Sequence, residues 1–155
     1  MPTNTHKTKP PEIHIQGMMK EPLMAIKLAH SMIRVIDENR SVDYYRRAFG
    51  LEIVNRVEFA DFTLVYMAHE LDGFELELTI NHGRTEPYDL GDGYGHLAVV
   101  VDNLQAEYER LTAEGFTVGK LVDFKNGNVP VARFFFATDP DGYKIEVIQK
   151  GGRFQ

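Results

Sequence analysis

The sequence predicts an α+β fold of two tandem βαβββ modules with a mixed, mostly antiparallel sheet. Three observations lead there: a motif that occurs twice, two apolar runs each opened by a histidine, and two short helical patterns that each end at a glycine. The motif is Asp-Gly, aromatic, any residue, aliphatic, Glu, aliphatic. It stands at Asp72-Gly73-Phe74-Glu75-Leu76-Glu77-Leu78 and again at Asp141-Gly142-Tyr143-Lys144-Ile145-Glu146-Val147. A repeat of this kind decides the architecture, because each copy is one supersecondary unit.

The first module opens with His30 and the apolar run Met32 to Ile36, a strand. Val42, Tyr45 and Phe49 recur at helical spacing, and Gly50 stands where a left-handed cap belongs. Leu51-Glu52-Ile53 alternates as a second strand, and Phe62 to Met67 supplies a third. The Asp-Gly turn then leads into the strand around Glu77. Residues 84–92, with Pro87 and the glycines after it, read as the linker.

The second module follows the same order. His96 opens Leu97 to Val101; Leu104, Tyr108 and Leu111 share a helix face; Gly115 takes the cap. Phe116-Thr117-Val118, Val131 to Phe136 and the segment around Glu146 supply the remaining strands. His to Gly spans 20 residues in one copy (50 − 30) and 19 in the other (115 − 96). His to Glu spans 47 (77 − 30) and 50 (146 − 96). The expected organisation is a single domain over 27–150, with modules at 27–83 and 93–150. Residues 1–26 form an N-terminal extension and 151–155 a C-terminal tail. His6 and His14 of the extension read as solvated residues, not ligands. Phe134-Phe135-Phe136 reads as a strand buried on both faces. Tyr44, Tyr45, Arg46 and Arg47 read as one amphipathic helix showing both its faces. Gly91-Asp92-Gly93-Tyr94-Gly95 leads into a strand and not a helix, which excludes a phosphate-cradling turn.

Composition narrows the function. A chain of 155 residues buries a core without a disulfide or a metal staple. Hydrophobic residues at 43% and charged residues at 26% suit a globular domain. No apolar run is long enough for a bilayer, so no membrane partner is expected. Met1 to Pro11 lacks the apolar core of a signal peptide. The absence of cysteine excludes disulfides, thiolate ligands and a cysteine nucleophile, and fits a cytoplasmic location. A net charge of −6 repels a phosphate backbone, so nucleic acid is not an expected partner.

Folding alone asks for none of His30, Glu77, His96 and Glu146 at matched positions. A strand interior more naturally carries β-branched or aromatic residues. Glu77 stands between Leu76 and Leu78, and Glu146 between Ile145 and Val147, so each carboxylate faces away from the main apolar row. Taken singly, a glutamate in a strand reads as the wet face of a sheet, and a histidine as a surface residue. Their recurrence in register points instead to a shared site. Two imidazoles and two carboxylates make a cage for one borderline divalent metal, leaving two octahedral positions for waters or two adjacent substrate oxygens. Such an ion polarises a carbonyl, and a neighbouring carboxylate can act as base.

These residues also carry a resemblance. His30-Ser31-Met32-Ile33-Arg34-Val35, Leu76-Glu77-Leu78-Thr79-Ile80-Asn81, Tyr94-Gly95-His96-Leu97-Ala98 and Asp139-Pro140-Asp141-Gly142-Tyr143-Lys144-Ile145-Glu146 resemble, in order, four strands of bacterial glyoxalase I. That family is the lactoylglutathione lyases of the vicinal oxygen chelate superfamily. The resemblance covers about residues 27–150. It implies a metal at His30, Glu77, His96 and Glu146, nickel or cobalt before zinc, and no redox cofactor. It implies a homodimer whose sites are completed across the interface. The implied reaction isomerises the methylglyoxal–glutathione hemithioacetal to S-lactoylglutathione, by proton transfer through a metal-bound enediolate. Glu146 is the implied base, with Glu77 serving the opposite stereoisomer.

Arg34 and Asn81 lie four residues after His30 and Glu77, which puts each on its ligand's face. The resemblance implies that both contact glutathione. There are departures. Asp92 stands where some members place an arginine, His82 where an aromatic is common, and Lys125 falls in a longer loop before the last two strands. Three other readings compete. One is a related enzyme with a different thiol or aldehyde. A second is an epimerase or a dioxygenase, the latter disfavoured by Glu77. The third is a metal-free ligand-binding or resistance protein.

Overall fold

The computed structural model describes residues 26–70 and 73–155. His6 and His14, and Asp72 of the first turn motif, lie outside the described residues. The first module runs β1 (His30–Arg34), α1 (Glu38–Phe49), β2 (Glu52–Glu58), β3 (Phe62–Ala68) and β4 (Glu75–Asn81). The second runs β5 (Leu97–Val101), α2 (Leu104–Ala113), β6 (Thr117–Val118), β7 (Val122–Asn126), β8 (Val129–Thr138) and β9 (Lys144–Gln149). The architecture is α+β, with mostly antiparallel strands in two sheets.

Each module makes its own sheet. The first has the order β1-β4-β3-β2; the second has β5-β9-β8-β6, with β7 also paired to β8. The edge pairs β1–β4 and β5–β9 are parallel, and every other pair is antiparallel. Local chemistry sets the helix limits. Asp37 accepts from the Arg40 amide to start α1, and Gly50, at φ 67°, returns its N–H to the Arg46 carbonyl to end it. Asn103 caps α2 in the same way through the Ala106 amide, and Gly115 follows it at φ 81°.

Four details depart from the expectations. The second module carries one strand more than βαβββ. Gly127, at φ 59°, lets the chain reverse between Asn126 and Val129, and β7 and β8 form a hairpin about that turn. Lys125 therefore lies on β7 and not in a loop. His96 immediately precedes β5 and does not open it. Tyr44 and Tyr45 are both buried, because α1 is covered on two adjacent sides: Tyr44 packs edge-on against Phe116 of the second module as well as Phe49 of its own helix. Of the phenylalanine triplet only Phe135 is fully buried, while Phe134 and Phe136 are half-buried on the other face.

One core serves both modules, from Ile33, Tyr45, Val65 and Leu78 in the first to Leu104, Phe135, Ile145 and Val147 in the second. Residues of this kind contribute about 1.5–3 kcal/mol each on burial. A polar clasp crosses the same boundary. Asp139 accepts from the Tyr45 hydroxyl at 2.9 Å and from the amides of Asp141 and Tyr143. Asp141 accepts from the Ile36 amide, the Arg40 guanidinium and the Ser41 hydroxyl. The Tyr143 hydroxyl donates to the Arg34 carbonyl. The turn before β9 is thereby tied to the end of β1.

Candidate metal centre

The parallel edge pairs place the histidines. In the first module Glu77 pairs with Met32, and His30 lies two residues before Met32. In the second, Glu146 pairs with Ala98, and His96 lies two residues before Ala98. The register is the same in both copies. An offset of two keeps each histidine on the glutamate's face, and that face is opposite Leu76, Leu78, Ile145 and Val147 of the core. The result is two alike pairs: His30 Nε2 to Glu77 Oε2 at 3.2 Å, and His96 Nε2 to Glu146 Oε2 at 3.0 Å.

These distances suit a metal. Two ligands bound at about 2.1 Å and at a right angle on one ion stand about 3.0 Å apart. Each pair thus presents one nitrogen and one oxygen at the separation adjacent ligands require. The four residues do not converge within one chain. Among the described residues no group of three or more His, Cys, Asp or Glu gathers around a common point. The single chain holds two separate His–Glu pairs, one on each sheet.

Their surroundings differ. Glu77 is buried, its residue 8% exposed. The Thr79 hydroxyl donates to its Oε1 at 3.3 Å. Tyr66 lies directly across the ladder from it, and the Glu77 carboxylate pushes the pKa of the Tyr66 hydroxyl up. The Tyr66 ring stands edge-on to His30. In the second module Phe136 lies across from Glu146 and edge-on to His96, and Ile148 takes the place of Thr79. Tyr66 and Thr79 escaped the sequence reading. The signal that finds them is the strand pairing: once β3 is laid against β4, Tyr66 falls opposite Glu77.

Arg34 ends β1, exposed and on the His30 face; Asn81 ends β4 and donates to the Tyr88 hydroxyl at 2.8 Å. Tyr88 is held in turn under the Arg84 guanidinium, which also binds the carbonyls of Glu86 and Pro87. His82 is structural: its ring nitrogens meet the Thr63 hydroxyl and the Ala60 carbonyl, pinning the end of β4 to the β2–β3 turn. Asp92 is exposed in the linker. A cavity of about 450 Å³ opens beside His96, lined by Lys120, Lys144, Val122 and Phe136. A larger one of about 950 Å³, between the end of α1 and β5, touches none of the four candidate ligands.

Comparison with known proteins decides the family. Residues 27–147 match the model of the glyoxalase/bleomycin resistance protein/dioxygenase superfamily. The chain belongs to that superfamily. Within this glyoxalase superfamily it is 40% identical to a lactoylglutathione lyase of Neisseria meningitidis over 130 residues, 81% of this chain and 91% of that one. It is 35% identical to a lactoylglutathione lyase of Escherichia coli O157:H7 over 81% of this chain and 93% of that one. A solved trypanothione-dependent glyoxalase I from Leishmania major superposes with a TM-score of 0.67 at 27% identity, covering 81% of this chain and 87% of that one. The matched region thus spans both His–Glu pairs.

Proposed function

We propose that this chain is a lactoylglutathione lyase, isomerising the hemithioacetal of methylglyoxal and glutathione to S-lactoylglutathione. The observation that carries the reading is the duplicated His–Glu pair, set in one register in both modules, in a chain 35–40% identical to lactoylglutathione lyases over four-fifths of its length. His30, Glu77, His96 and Glu146 would hold one divalent ion, nickel or cobalt before zinc. Bound there, the ion would act as a Lewis acid on the substrate's vicinal oxygens.

The separation of the four candidate ligands into two pairs supports a site completed between two copies. His30 and Glu77 of one protomer face His96 and Glu146 of the other. Glu146 acts as the base. It takes the proton from the carbon bearing the thiol, and the proton returns to the neighbouring carbonyl carbon, while the hydroxyl proton passes to the other oxygen. No electron is lost or gained, so no redox cofactor is needed. Phe136 and Ile148 beside Glu146 keep that side of the site apolar, which preserves the carboxylate's basicity and shields the abstracted proton from water. Arg34 and Asn81 bind polar groups of the thiol, and Lys120 and Lys144 beside His96 add positive charge for its carboxylates.

The test loads metal-free protein in turn with nickel, cobalt, zinc and manganese, adds methylglyoxal and glutathione, and follows thioester absorbance. Turnover should require metal and fall at least about 100-fold in Glu146→Gln, the usual loss for a general base. Metal uptake without turnover would refute the substrate assignment.

A further inference from the structure

Asn81 ends β4 on the face of Glu77, and its side-chain amide is tethered. The amide nitrogen donates to the Tyr88 hydroxyl at 2.8 Å, and both residues are half-buried. Tyr88 lies on the linker between the modules, and the linker is folded to bring it there. Asn81 to Arg84 closes a turn, with the Arg84 amide 3.2 Å from the Asn81 carbonyl and Gly83, at φ 77°, in the third position. The Arg84 guanidinium then binds the carbonyls of Glu86 and Pro87 at 2.6 and 2.9 Å. It also lies over the Tyr88 ring, 4.7 Å from its centroid. Two residues further on, Leu90 packs against the core and stands close to Gly142 in the turn before β9. Tyr88 is therefore held on both sides, by Arg84 within the linker and by Leu90 against the second module.

We propose that Tyr88 is a positioning residue that fixes the Asn81 amide for the thiol part of the substrate, with Arg84 as the strap that holds Tyr88 in place. This rests on the reading of Asn81 as a thiol contact. An asparagine amide turns about a broad, roughly two-fold torsion, so an untethered Asn81 would present its oxygen and nitrogen in either sense. The amide offers two N–H donors and one carbonyl acceptor. Tyr88 takes one donor, which leaves the carbonyl oxygen and the second N–H in a fixed order for the substrate. A thiol that meets an amide already aligned does not have to immobilise it. The gain therefore falls on binding and not on the proton transfer.

The test compares wild type, Tyr88→Phe, Arg84→Met, Asn81→Ala and the Tyr88→Phe/Asn81→Ala double variant, each loaded with the same metal. Tyr88→Phe removes one oxygen and keeps the ring under Arg84. Steady-state kinetics with the methylglyoxal–glutathione hemithioacetal give KM and kcat. S-methylglutathione, which cannot react, reports the affinity of the thiol part as a competitive inhibitor. Tyr88→Phe should raise KM and the S-methylglutathione inhibition constant together by about three- to tenfold, the change one neutral hydrogen bond carries, with kcat near wild type. Arg84→Met should act in the same direction. In the Asn81→Ala background Tyr88→Phe should change neither constant, because the group it positions is gone. An unchanged KM in Tyr88→Phe or Arg84→Met, a loss that falls on kcat instead, or the same loss with and without Asn81 would overturn the inference; the last would make Tyr88 a substrate contact in its own right. Wild-type protein that neither turns over the hemithioacetal nor binds S-methylglutathione would overturn the reading of the thiol site itself, before any variant is compared.

Discussion

Replacing Asp141 with alanine should destabilise the fold by about 2–4 kcal/mol, although the residue sits in a turn. Its carboxylate is 5% exposed and serves three donors from the other module. The Arg40 guanidinium, 3.0 Å away, is half exposed, so that ion pair contributes about 0–1 kcal/mol. The Ile36 amide, at 3.1 Å, would lose its partner at a cost of about 1 kcal/mol. Ser41 is fully buried, and its hydroxyl would be left without this acceptor at about 1–2 kcal/mol. Asp141→Asn keeps an oxygen for Ile36 and offers an amide to the serine oxygen, so it should cost about 1 kcal/mol or less. Urea unfolding of metal-free protein at fixed protomer concentration measures both, with an unchanged slope as the condition for comparing midpoints. An alanine variant within about 0.5 kcal/mol of wild type would show that the clasp does not hold the modules together. Equal losses for alanine and asparagine would show that charge, not acceptor geometry, is what matters.

Two further outcomes are expected. If sites form between protomers, a His30→Ala/Glu77→Ala chain and a His96→Ala/Glu146→Ala chain, each inactive alone, should recover activity when unfolded and refolded together, because a mixed dimer assembles one intact set of four ligands; no recovery would place each site within one chain. Burial raises the Asp139 carboxyl above its ordinary 3.8, so the folded chain holds that proton more tightly than the unfolded chain does. The stability of wild type relative to Asp139→Asn should therefore fall as pH rises from about 3.8 through the raised native value and stay level beyond it, as read by denaturant midpoints across that range; a difference that grows with pH would reverse the sign and refute the assignment.

The elements that the sequence displayed best are those whose signals are local. Gly50 and the apolar face of Val42, Tyr45 and Phe49 mark α1, and the repeated Asp-Gly-aromatic motif marks the strands of Glu77 and Glu146. The β7–β8 hairpin was missed although Asn126-Gly127 announces a turn, because β7 reads Val-Asp-Phe-Lys-Asn with few residues that demand burial, and its residues Asp123 to Asn126 are exposed. The double burial of Tyr44 and Tyr45 was invisible for a different reason. It depends on Phe116, about seventy residues away in sequence, arriving on the second side of the helix. His82 could not be assigned from one strand alone, since its partners lie on β3 (Thr63) and on the β2–β3 turn (Ala60). The four candidate ligands were legible because they repeat; Tyr66 and Thr79 were not, because they do not.

That contrast bears on how the site divides its labour. The offset of two residues between each histidine and the residue paired with its glutamate is a property of the backbone. It follows from a parallel edge pair in each module and survives any change of side chains around it. Duplication of the module therefore delivers two equivalent nitrogen–oxygen pairs at about 3 Å without further adjustment. Under the proposed function the two carboxylates would have different surroundings to exploit, and equivalent pairs do not supply that difference. The difference has to come from side chains that face the pairs but are not themselves ligands, and the two modules differ there. Tyr66 stands against Phe136, Thr79 against Ile148, and Arg34 at the end of β1 against Val100 in β5. The first two exchanges put a hydroxyl-bearing residue near Glu77 and an apolar one near Glu146; the third puts a charged residue across from Thr79 in one module and an apolar one across from Ile148 in the other. Tyr66 and Thr79 thus bring hydroxyl groups to the Glu77 pair, whereas Phe136 and Ile148 bring apolar surface to the Glu146 pair, with Lys120 and Lys144 beside His96. Under the proposed function both surroundings would serve: polar groups to orient the substrate, and a base whose basicity is not spent on neighbouring donors.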